Sequence, residues 1–104
     1  MDALSAVTEE RVWAELWTSF ASLLSSYGAA HGMHGPQQAI VEVGNDVILV
    51  RAGSRWIRFT RAEILKDDGS GDSFRLNEDG TATIGGRTEE MDFAAERLMR
   101  ELMG

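Results

Sequence analysis

The sequence predicts an α+β domain: an antiparallel sheet of about five strands, with an N-terminal and a C-terminal helix packed on one of its faces. Three observations carry this. Residues 38–60 divide into three short apolar-rich runs, 38–43, 46–52 and 55–60, joined at Gly44-Asn45 and Gly53-Ser54. A Gly-X pair between such runs signals a two-residue hairpin, because glycine takes positive φ at the first loop position without steric cost. Residues 74–76 and 81–84 form a second pair of runs about Asn77-Glu78-Asp79-Gly80, and the segments outside the strands carry apolar residues at helical spacing. With 104 residues, 43% of them hydrophobic, the chain suits one core and one domain spanning residues 1–104.

Taken in order, Thr8 is placed to cap the first helix, and Glu9 and Glu10 suit the positive end of its dipole. Trp13, Leu16, Trp17, Phe20, Leu23, Leu24 and Tyr27 fall along one side, which must be buried. Gly28 suits a C-cap, and a glycine-rich connector holding His31 and His34 runs on to Pro36.

In the meander, fixed turns fix the register. Pairing outward from Gly53-Ser54 sets Arg51 opposite Trp56, Val50 opposite Ile57, Leu49 opposite Arg58 and Ile48 opposite Phe59. Pairing outward from Gly44-Asn45 sets Val41 beside Ile48 and Ile40 beside Leu49. One face then reads Ala39, Val41, Val43, Ile48, Val50, Ile57 and Phe59, a core face. The other reads Gln38, Ile40, Glu42, Val47, Leu49, Arg51, Trp56, Arg58 and Thr60. That second face is too apolar for plain exposure, so Ile40, Val47, Leu49 and Trp56 ask to be covered.

Beyond it, Thr60 and Glu63 stand three apart as in a capping box and predict a single helical turn before a polar loop over 66–73. The second hairpin, closed by Gly80 in the left-handed region, pairs Leu76 with Ala82 and Phe74 with Ile84. Gly85-Gly86 releases the chain, and Thr88 caps a last helix. Its stripe is Met91, Ala94, Ala95, Leu98, Met99 and Leu102, with Phe93 on the far side. The resulting order, α-βββ-short α-ββ-α, together with the acidity, resembles the type III secretion chaperones. The likeness is one of element order and charge alone, and a fold does not fix a function.

Composition narrows the function. Ten basic residues against 17 acidic ones give a net charge of −7, which works against nucleic-acid backbones and anionic membrane surfaces. With no cysteine there is no disulfide, thiol nucleophile or cysteine-held metal. Met1-Asp2-Ala3-Leu4 has no basic residue ahead of an apolar core, and no run approaches the roughly 18 apolar residues of a membrane span. The expectation is a soluble cytoplasmic protein.

Four patterns bear on chemistry. His31-Gly32-Met33-His34 sets two imidazoles close together, but without further ligands they read as loop histidines, and no metal is predicted. Asp67, Asp68, Ser70, Asp72 and Asp79 offer alternating oxygens, yet Ser73 stands where a calcium loop needs glycine and a strand follows, so a solvated turn is the better reading. Arg51, Arg55, Arg58 and Arg61 surround Trp56, a grouping able to bind anions or to pair across strands with Glu42. No Gly-x-Ser-x-Gly elbow, phosphate loop or dinucleotide fingerprint occurs. No cofactor is predicted, and the reading leans away from an enzyme.

The functional expectation is an interaction module that homodimerises through the second sheet face, with Ile40, Val47, Leu49, Arg51, Trp56 and Arg58 at the interface and room for another protein partner. The alternative is a small-molecule or anion-binding domain, with or without catalysis, with its pocket near His31, His34 and Arg55. A third arrangement has the last helix cross over and cover the mixed face itself.

Overall fold

The computed structural model describes residues 3–32 and 38–104. Helix α1 (Ala3–Gly32) is followed by seven strands and helix α2 (Met91–Met103). The strands β1 (Ile40–Val43), β2 (Ile48–Ala52), β3 (Arg55–Phe59), β4 (Glu63–Lys66), β5 (Gly71–Leu76), β6 (Thr81–Ile84) and β7 (Arg87–Glu90) pair in chain order as one antiparallel meander. The α+β antiparallel class holds. The sheet has seven strands where five were expected, and the chaperone-like element order goes with that difference.

Both additional strands come from local choices that tertiary pairing decides. Thr60 Oγ1 does accept the Glu63 amide at 3.1 Å, as a helix cap would. The backbone bends there instead, Thr60 N–H reaches Glu63 O at 2.9 Å, and Glu63–Lys66 extends into β4 against β3. The expected 66–73 loop shrinks accordingly to a tight turn in which Gly69 takes φ +89°. Gly85 and Gly86, both at positive φ (60° and 84°), form a two-residue turn of the kind that matches strand twist. Arg87–Glu90 therefore folds back on β6, and Thr88 lies in β7 with its hydroxyl 2.8 Å from that of Thr83. The cap position of α2 passes to Glu90.

The Gly53-Ser54 hairpin has the expected register throughout, with Gly53 at φ +65°. At the first turn Gly44 is not at positive φ, and its N–H donates to Val47 O at 2.7 Å. The register is accordingly Val43 opposite Ile48 and Val41 opposite Val50, two residues from the expected one. A slip of two preserves the side-chain alternation, so every residue stays on its predicted face. The second hairpin pairs Leu76 with Ala82 and Phe74 with Ile84, with Gly80 at φ +87°.

Helix α1 begins before Thr8 and continues past Gly28, so neither residue marks an end. Gly28 is a packing residue: a Cβ there would lie 2.9 Å from Ala39 Cβ and 3.2 Å from Met99 Cε. Trp17, Phe20, Ala21 and Leu24 of α1 and the whole expected stripe of α2 are buried against the core face. Phe20, Phe59 and Phe74 meet there with ring centroids 5.2–5.4 Å apart, joining α1, β3 and β5. Trp17 Nε1–H donates to Gly44 O at 2.8 Å, pinning α1 to the β1–β2 turn. Both helices lie on this one face. The final helix does not cross to cover the other, and Phe93 is 62% exposed.

Candidate functional site

Alternation sends the remaining side chains of the meander to the outer face, where register sorts them into rows. One row runs Ile40, Arg51, Trp56; the next runs Glu42, Leu49, Arg58, Leu65. Apolar and charged groups thus alternate in both directions. Ile40 is 53% and Val47 39% exposed, while Leu49, Trp56 and Leu65 are half-buried, shielded only by their neighbours on the face. Arg51 pairs with Glu42 across the β1–β2 ladder, an exposed pair that contributes little to folding. Trp56 is held at its backbone, where its N–H donates to Asp67 Oδ1 and its carbonyl accepts from Asp67 N–H, both at 3.1 Å.

The six residues expected at an interface therefore share one face. Leu65 joins them and was missed, because β4 was read as a helical turn. The legible signal was the adjacent pair Ile64-Leu65: two neighbouring apolar residues on a strand point to opposite faces, one to the core and one outward.

The alternative site is dispersed. His31 is half-buried in the last turn of α1, and His34 lies outside the described residues. Arg55 is used elsewhere: its Nη1 donates to the carbonyls of Glu101 (2.9 Å) and Leu102 (3.3 Å), satisfying the C-terminal end of α2. Arg61, the last member of the basic cluster, makes a two-pronged bond to Glu10 at 2.8 Å and stands 5.0 Å from the Trp13 ring centroid. That hydrogen bond holds the Glu10 carboxyl below the usual glutamate range. The arginine–tryptophan contact thus forms at Trp13 of α1.

The aspartate-rich turns are self-contained. Asp68 Oδ1 accepts from Ser70 Oγ (2.6 Å) and Ser70 N–H (2.8 Å), and Asp79 Oδ1 likewise from Thr81. These bonds lower both carboxyl pKa values, the side-chain hydroxyl contributing most. Among the described residues no three His, Asp or Glu side chains gather as metal ligands, and no helix is long and apolar enough to cross a membrane.

Two grooves lie between α1 and β1. One, of about 380 Å³, is lined by Ser25, Gly28, Ala29 and Gly32 of α1 and by Ala39 and Val41. The other, of about 410 Å³, is lined by Trp13, Trp17, Val43, Asn45, Glu10 and Arg61. In comparisons with known proteins, no family model, no curated protein and no solved structure matches this chain.

Proposed function

We propose that this domain is a non-enzymatic interaction module that forms a two-fold homodimer through the outer face of its sheet. The observation that carries the reading is the one-sided architecture. Both helices pack on the core face, and Ile40, Val47, Leu49, Trp56 and Leu65 remain on a face that no described element covers. Tryptophan and arginine are the residues that most often anchor interface centres, and Arg51, Trp56 and Arg58 stand in adjacent rows here. A two-fold axis presents the same patch to itself, so one apolar face suffices for both partners.

The test is solution mass by light scattering over a range of micromolar concentrations. Wild type is expected to be dimeric and Trp56→Ala to shift toward monomer with its fold intact. A wild type that stays monomeric throughout removes the proposal. The second reading, a small-molecule or anion-binding domain, rests on the groove of about 380 Å³ beside the final turn of α1. It predicts loss of binding when His31 and His34 are both replaced in a protein whose oligomeric state is unchanged.

A further inference from the structure

β1 is an edge strand, and the direction of its free backbone groups follows from the register. The Gly44 N–H bond to Val47 O makes Gly44 and Val47 a hydrogen-bonded pair. Alternation then makes Glu42–Leu49 and Ile40–Arg51 hydrogen-bonded pairs, and Val43–Ile48 and Val41–Val50 non-hydrogen-bonded ones. The N–H and C=O groups of Val41 and Val43 therefore point away from β2, toward an edge that no described element pairs with. Edge strands are normally blunted with lysine, proline or inward-pointing charge. The opposite edge, β7, reads Arg-Thr-Glu-Glu, whereas β1 reads Ile-Val-Glu-Val with Ile40 53% and Val43 55% exposed.

The side chains of Val41 and Val43 face the helix side, and each lines one of the two grooves under α1. A strand pairing with these two residues would place its own residues opposite them on the same face. Those two side chains, two positions apart and so roughly 7 Å from one another, would enter the two grooves. The residue between them would project to the outer face opposite Glu42. Glu10 and Arg61 line the second groove, and Arg61 also reaches Asp46 at 3.6 Å, so the three together leave one net negative charge beside it.

From this juxtaposition we infer that the open edge of β1 is a strand-addition site for an extended segment of a partner protein carrying a hydrophobic, a basic and a second hydrophobic residue in succession. Main-chain hydrogen bonds to Val41 and Val43 supply the affinity, and the grooves with Glu42 supply the selectivity. The main-chain bonds and both grooves lie at the edge and on the helix side, and only the central basic residue reaches the outer face, beside Glu42.

The experiment is amide hydrogen exchange at Val41 and Val43, with and without a capped heptapeptide alternating lysine and valine. A second peptide, N-methylated at its valines, keeps the charge and side chains but lacks the donors that would face β1. The first peptide is expected to protect both amides and the second to bind roughly tenfold more weakly or less. Val43→Lys, at an exposed position that leaves the core untouched, is expected to weaken binding of the first peptide to a similar degree, and Trp56→Ala to leave it unchanged. Equal binding of the two peptides would mean general attraction to an acidic protein and would overturn the proposal, as would an absence of protection. Protection that rises with protein concentration in the absence of peptide would assign the edge to a second copy of this chain, and would equally overturn it.

Discussion

The two faces of this sheet are made from the same strands by the same alternation, yet they end in opposite states. On the core face Ile48, Val50 and Phe59 are fully buried beneath two helices. On the outer face Leu49, Trp56 and Leu65, each one residue away from a buried neighbour, are shielded only by side chains of their own face. Hydrophobic patterning fixes which residues share a face, and the connections decide which face is covered. Here both helices return to the same side, and no described element covers the apolar content of the other side.

This contrast breaks or sharpens most readily at its two aromatic anchors. Phe59→Ala, in the middle of the Phe20–Phe59–Phe74 cluster, is expected to cost about 3–5 kcal/mol of folding stability by chemical denaturation. Trp56→Ala, a few residues earlier on the same strand, is expected to leave monomer stability nearly intact and to weaken dimerisation by about 2 kcal/mol, roughly 30-fold in Kd. Should Trp56→Ala cost as much folding stability as Phe59→Ala, the outer face is part of the core and the contrast is lost.

The boundary between helix and edge strand responds less. Gly28→Val is expected to destabilise by roughly 1–3 kcal/mol, the range for overpacking, because the Ala39 methyl 2.9 Å from the new Cβ has no rotamer to escape into. Thermal unfolding that is unchanged in this variant would mean that α1 does not press on the chain entering β1.

Acidification has the smallest effect, and its sign is fixed. The carboxyls of Glu10, Asp68 and Asp79 are lowered in the folded state from ordinary values of 4.5, 3.8 and 3.8. Their contribution is complete above those values and fades as pH falls through them toward the folded ones, since the unfolded chain then takes up protons first. Melting temperature should fall modestly between about pH 5 and pH 3, and less in Glu10→Gln; a melting temperature that rises on acidification would contradict the assignment.

Much of this was legible in the sequence where one residue type carries the information. Gly53 and Gly80 set two hairpins, both in the expected register, and the stripe of α2 is the buried set residue for residue. The outer face was legible even though the first turn was misread, because a two-residue slip leaves alternation unchanged. What escaped depended on pairing at a distance. Thr60 makes its cap-like bond in a strand bend as readily as in a helix. β7 has no apolar alternation at all and is held by its ladder to β6 and the Gly85-Gly86 turn. The grooves beside β1 exist only because α1 lies along that edge, which no local pattern encodes.

The most direct test of the outer-face interface uses the absence of cysteine from the sequence. A single spin label at Glu63→Cys, on the outer face beside Leu65, and in a separate protein at Phe93→Cys, on the solvent side of α2, reports intermolecular distances by dipolar spectroscopy. Sheets packed face to face lie roughly 10 Å apart, so the Glu63 labels are expected to give a defined distance much shorter than that of the Phe93 labels. A defined short distance from Phe93, or none from either position, would contradict the outer-face dimer.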